Sequence, residues 1–257
     1  MKIVQISVVF CLIAISGCKG PTGLDGAIGS QLQGDIFGYV DVYDWAGRLA
    51  VDRRGVQITT DKETSTSITD STGRWTLKDL FAGIYTISAS KPGYTVANAA
   101  NFQFVGGGKA YLSSPLGIIQ LPTYTISGVA LAGNSTDSLG QQLKIDISPS
   151  AAISENRYFM IVYGKVPTVA INTPDALVSS TVTYNYKAVG SATVSLRNTI
   201  STLQNTHGMK SGEKVYAVVY PSSASVTNVG SYVDPVTKKT VYTRVTSPFV
   251  AVNFQIP

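Results

Sequence analysis

The chain has 257 residues, of which 44% are hydrophobic and only 14% charged, and it carries a net charge of +5 at neutral pH. One histidine and two cysteines exclude a histidine-rich metal centre and a disulfide framework. Basic residues are dispersed, with small pairs only at Arg53-Arg54 and Lys238-Lys239. The basic patch that nucleic-acid binding needs is therefore missing, while a weak attraction to anionic glycan or lipid headgroups is compatible with the charge.

Residues 1–17 have the three parts of a secretory signal. Lys2 supplies the positive start, Ile3 to Ile15 is apolar apart from Gln5 and Ser7, and Ser16 and Gly17 are small. The apolar run falls short of the ~20 residues that span a bilayer as a helix, so removal is expected rather than retention as an anchor. The tetrapeptide Ile15-Ser16-Gly17-Cys18 resembles the lipobox of bacterial lipoproteins of the Bacteroidetes type. The resemblance implies cleavage between Gly17 and Cys18 and acylation of Cys18, with membrane lipid as the first partner. Several acyl chains, palmitate among them, would hold the chain stably at ~0.8 kcal/mol per buried methylene. An ordinary signal peptide is the alternative. Cleavage also removes Cys11, leaving Cys18 as the only cysteine. In this family an aspartate after the cysteine favours inner-membrane retention. Lys19 points instead to the outer membrane, with the periplasmic and surface-facing sides both open.

Gly20, Gly23, Gly26 and Gly29 repeat every third residue across a tether of residues 18–33. The period is that of collagen, but four triplets interrupted at Leu32 suit a flexible linker better than a trimer. Fully extended, such a linker reaches at most ~50 Å.

Residues 34–122 read as short strands between turns. Asp70 and Gly73 bracket a tight turn. Beyond it Trp75 and Leu77 share one face of a strand, with Arg74, Thr76 and Lys78 on the other. After Ala82-Gly83, Tyr85, Ile87 and Ala89 alternate in the same way until Lys91-Pro92-Gly93 stops the strand. Thr69, Asp70, Gly73, Trp75, Leu77, Leu80, Gly83, Tyr85, Ile87, Gly93 and Tyr94 follow a pattern that resembles the carboxypeptidase regulatory-like domain. Gly38-Tyr39-Val40 and Gly55-Val56-Gln57-Ile58 match its opening strands, and Ala82 stands where that family usually has proline. The resemblance implies a non-catalytic β-sandwich of the transthyretin type. Gly106-Gly107-Gly108 reads as a hairpin turn.

Residues 123–257 continue in strands, expected at 124–131, 143–148, 157–163, 178–189, 215–220, 241–245 and 249–256. The run 215–220 is apolar on both faces, as a central strand would be. A helical turn is expected within 199–207. Ser211-Gly212-Glu213-Lys214-Val215-Tyr216 resembles the corner entering the sixth strand of fibronectin type III domains, which implies an immunoglobulin-like sandwich. Leu121-Pro122-Thr123 leaves little room for a linker between the two domains.

Chemistry is sparse. His207, in Asn205-Thr206-His207-Gly208, reads as a loop histidine. Ser211 and Lys214 have the Ser-x-x-Lys spacing but precede a strand, and the companion motifs are absent. Asp35, Asp41, Asp44 and Asp52 lack EF-hand spacing, so solvated loop carboxylates are the default and a calcium site between loops the alternative. Tyr43, Trp45, Tyr94, Tyr232 and Tyr242 fall in or near expected loops or edges and are candidates for stacking on sugar rings. Tyrosine is also simply a good strand residue.

The expectation is an all-β protein with two tandem β-sandwich domains after a cleaved lipoprotein signal. It has no cofactor, no metal site, no catalytic residues and no nucleic-acid partner. As a lipid-anchored outer-membrane protein it would act as a binding or adhesion accessory for glycan or an envelope protein. The alternatives are a structural subunit docking onto another outer-membrane protein and, last, a hydrolase.

Overall fold

The computed structural model describes residues 32–132, 142–148, 156–185, 191–234 and 236–257. Gly17, Cys18, the signal segment and all of the tether before Leu32 lie outside the described residues. Residues 32–257 form one compact unit that is almost entirely β, as expected.

Eight strands enclose the first core. β1 (Gln33–Tyr43) is the hub of one sheet. It pairs antiparallel with β4 (Arg74–Phe81) and parallel with both β7 (Lys109–Tyr111) and β8 (Leu116–Ile119). The second sheet has the order β3-β2-β5-β6, formed by β2 (Gln57–Thr60), β3 (Thr66–Ile68), β5 (Gly83–Ser90) and β6 (Ala97–Phe104). Alternation along the strands decides what lies between the sheets. Trp75 and Leu77, with Tyr85, Ile87 and Ala89, are buried beside Ile36, Val40, Val42 and Ile58. The turn before β4 is closed by the Gly73 N–H donating to the Asp70 carbonyl at 3.0 Å, and Asp70 Oδ1 accepts the N–H groups of Thr72 and Arg74. Gly73 has φ +85°, and a β-carbon there would lie 2.3 Å from the Val40 carbonyl oxygen.

One expectation fails in this part. Gly106-Gly107-Gly108 does not turn a hairpin, because β6 and β7 belong to different sheets. The glycines carry the chain across the end of the core, which lets β7 pair parallel with β1.

The second core lies between two further sheets. One has the order β13-β10-β9, from β9 (Thr125–Ala132), β10 (Gln142–Ser148) and β13 (Ser191–Ser195). The other has the order β12-β11-β14-β17, from β11 (Asn156–Gly164), β12 (Val178–Asn185), β14 (Lys214–Ser222) and β17 (Phe249–Gln255). This is a seven-stranded sandwich in which β14 is the sixth strand and central, flanked by β11 and β17. A short helix, α1 (Arg197–Asn205), follows β13 and buries Ile200 and Leu203. The expected strand at 241–245 is not one of the seven. Its place is taken by β13, and Thr240–Tyr242 is instead β16, which pairs with β15 (Ser231–Val233) in a separate hairpin inserted between β14 and β17. Serines at both ends of β13 hide its short apolar centre from a reading by alternation.

The sheet containing β11 and β14 is buried on both sides. Phe159, Ile161, Tyr163, Val215, Ala217 and Val219 face the sandwich core. Met160, Val162, Val218 and Tyr220 form a smaller cluster on the opposite face, which accounts for the unbroken apolar runs.

The two cores meet through direct packing. Trp45, in the loop after β1, lies against the second core, and its carbonyl accepts the Ala224 N–H at 2.9 Å. Ser223 Oγ donates to the Gln120 carbonyl at 2.5 Å. A β-carbon on Gly117 would come within 2.4 Å of Val229 Cγ2, so bare backbone is needed for this close approach.

Candidate functional site

The loop from Gly164 to Leu177 returns over the outer face of β11, and the β15–β16 hairpin folds over the same face from the other direction. Between them lies a cleft of about 420 Å³, within the roughly 300–1,000 Å³ typical of small-molecule sites. Its apolar wall includes Val162, Ile171 and Tyr242, and its polar lining includes Asn172, Thr173, Ser179, Thr237 and Thr240. Asp234 and Lys239 supply one charge of each sign.

Local sequence explains how the cleft is held open. Asn172 sits at φ +65°, a conformation that asparagine tolerates better than most residues. Its amide acts as a short extra strand against β16: Nδ2 donates to the Tyr242 carbonyl at 3.0 Å, and Oδ1 accepts the Tyr242 N–H at 2.8 Å. The Ile171 N–H donates to Tyr220 Oη at 2.9 Å, tying the same loop to β14. At the hairpin turn, Asp234 Oδ1 accepts the N–H groups of Val236 and Thr237 at 2.8 and 2.6 Å. These bonds, Thr237 first, hold the Asp234 carboxyl below the usual carboxylate range. Behind Tyr242 lies Arg244, which is buried, with its guanidinium 5.5 Å from the ring centroid. Burial lowers the Arg244 pKa from its ordinary value.

The aromatic candidates separate into different roles. Tyr242 lines the cleft, and Tyr232 is exposed on the paired strand. Trp45 lies in a loop, as expected, but is partly buried there. It packs edge-on to Tyr124 and Tyr158, with the Arg157 guanidinium 5.6 Å from its ring centroid. Tyr94 packs beside the first core, with Lys91 Nζ 5.3 Å from its ring centroid. Tyr43 is half-buried at the end of β1.

A second group of rings was not visible as a cluster in the sequence. Phe37 and Tyr39 on the outer face of β1 meet Tyr111 of β7, with centroids 5.2 and 6.4 Å apart, and Arg74 lies 6.0 Å over Phe37. The alternation of β1 could have signalled that Phe37 and Tyr39 share a face. Their meeting with Tyr111 depends on a parallel pairing over a separation of more than 70 residues.

The remaining chemical candidates do not converge. Asp41 pairs with Arg53, Asp44 with Arg48 and Asp52 with Arg54, while Asp35 accepts the Asp79 N–H. No group of three potential metal ligands exists among the described residues. His207 is half-buried just beyond α1. Ser211 lies in a turn and Lys214 opens β14, so they do not share the helical face that a Ser-x-x-Lys pair needs.

The fold is thus an all-β protein of two packed sheet pairs. No family model matches the chain, and no curated protein matches it. Among solved structures it is similar to a DUF3823 family protein from Bacteroides ovatus, at 13% identity and a TM-score of 0.30, covering 88% of this chain and 100% of that one. A protein named as a candidate carbohydrate binder from Bacteroides uniformis is 12% identical, with a TM-score of 0.29 and 86% and 98% coverage. A type II cohesin–X-dockerin complex from Acetivibrio cellulolyticus gives 21% identity and a TM-score of 0.29 over 34% of this chain. The chain spans only 58% of the length of that last structure's matched chain.

Proposed function

We propose that the chain is a non-catalytic binding protein of the bacterial outer membrane, anchored by acyl chains on Cys18, that holds a glycan in the hairpin cleft. The first sandwich, of the carboxypeptidase regulatory-like kind and ending near Pro122, is a scaffold in this reading. The second, from Thr123 onward, carries the site. The supporting observation is the cleft itself: a concave site with one aromatic wall, an apolar floor and a surplus of hydroxyl and amide groups. A saccharide presents the complementary surfaces, hydroxyls to the rim and C–H faces to the ring. The test is a glycan array and envelope-polysaccharide pull-down with folded wild-type and Tyr242→Ala protein. Binding that is lost in the variant supports the reading, and absence of wild-type binding defeats it. Anchoring is tested separately by membrane fractionation, where Cys18→Ala is expected to leave the membrane fraction.

A second reading, docking onto another envelope protein, is favoured by the aromatic group of Phe37, Tyr39 and Tyr111, the last 47% exposed. Exposed aromatic groups of this kind are enriched at protein interfaces. Crosslinking in native membranes that recovers only monomer would remove it.

A further inference from the structure

The two charged residues that line the cleft, Asp234 and Lys239, cancel, and the buried Arg244 beside the lining Tyr242 ring adds a net positive charge. Arg244 is 3% exposed, and its Nε has no hydrogen-bond partner. Its Nη2 donates to Thr181 Oγ1 at 3.1 Å, and no carboxylate pairs with it among the described residues. A buried cation without a counter-charge is costly, and stacking on Tyr242 offsets only part of that cost. Lys239 adds a second cation on the exposed rim, with no ion pair of its own among the described residues. Asp234 is the one carboxylate lining the cleft, and its Oδ1 is occupied by two backbone N–H groups. Water screens both Asp234 and Lys239, whereas the field of Arg244 passes through protein, where it is screened less.

We propose that the cleft selects an acidic saccharide. A uronic acid residue would direct its carboxylate toward the Lys239 and Arg244 charges, set its ring against Tyr242 and offer its hydroxyls to Ser179, Thr237 and Thr240. This rests on the reading of the cleft as a glycan site and specifies the class of glycan.

The test titrates the full chain with galacturonic and glucuronic acid, and with galactose and glucose, by NMR at 20 and 300 mM NaCl. The uronates are expected to bind at least tenfold more tightly than the neutral sugars at low salt, and to lose most of that advantage at high salt. Lys239→Gln, a change at the exposed rim, is expected to reduce uronate affinity several-fold and by a larger factor than any change in neutral-sugar affinity. Equal binding of acidic and neutral sugars, or an advantage insensitive to salt, overturns the charge selectivity while the glycan site stands. If no sugar of either kind perturbs the cleft, both readings fall.

Discussion

Tyr124 shows how one side chain can tie distant parts of this chain together. Its single hydroxyl proton lies between the carbonyls of Tyr158 and Ser222, its oxygen accepts the Tyr158 N–H at 3.0 Å, and the hydroxyl is buried with its ring. Burial raises its pKa well above the ordinary tyrosine value, and the Tyr163 phenol is pushed up to about 12 by the same cause. Both phenols are therefore neutral when folded and ionise first in the unfolded chain. Their contribution is complete below about pH 10 and declines as pH rises toward the folded values, by up to about 1.4 kcal/mol per pH unit for each. Urea denaturation between pH 8 and 11.5 is expected to show a plateau and then a fall, with a shallower fall in Tyr163→Phe. Gly73→Ala is expected to lose roughly 1–3 kcal/mol from its left-handed conformation alone, and more from the contact with the Val40 carbonyl, measurable in the same assay at pH 7.

The β15–β16 hairpin is the element on which the candidate site depends. Two strands of three residues each form a ribbon too small to be stable alone. It is held partly by the Asn172 amide and partly by Tyr242 and Val245 packing onto the outer cluster of the β11–β14 sheet. Asn172→Ala removes two hydrogen bonds, each worth about 0.5–1.5 kcal/mol net, and places alanine at a positive φ. Hydrogen exchange at residues 231–242 is expected to accelerate in this variant, while residues 156–164 and 214–222 exchange as in the wild type. Uniform acceleration across both sets would mean that the hairpin is not a separately held element.

At the scale of the whole molecule, the contact between the two sandwiches decides cooperativity. Trp45 belongs by sequence to the first sandwich and by packing to the second. Arg157, which is 4% exposed, lies against both Trp45 and Tyr124, 4.7 Å from the Tyr124 ring centroid. One unfolding transition is expected for the wild type. Trp45→Ala, at about 3 kcal/mol, near the low end for loss of a large aromatic because the ring is only half-buried, is expected to separate that transition into two in calorimetry. A single transition shifted to lower temperature would show that the remaining contacts, Ser223 to Gln120 and Ala224 to Trp45, are sufficient to couple the sandwiches.

Much of the fold was legible because alternation is a local property. Trp75 and Leu77 in β4, and Tyr85, Ile87 and Ala89 in β5, announce their buried face without reference to any partner. The double-sided apolar run of Val215 to Tyr220 likewise identified a central strand. Turn chemistry at Asp70 and Gly73 is equally local, since it depends on one carboxylate and one left-handed backbone. What the sequence could not decide was pairing at a distance. The crossing at Gly106-Gly107-Gly108, the parallel pairing of β7 with β1 and the capture of Trp45 by the second core all depend on contacts between segments far apart in the chain. The cleft belongs to the same category. Tyr242 was a candidate from its residue type, but its neighbours Asn172, Asp234 and Arg244 are unremarkable where they stand in the sequence. Only tertiary packing turns them into a site, because burial and an uncompensated charge are properties of an assembled environment.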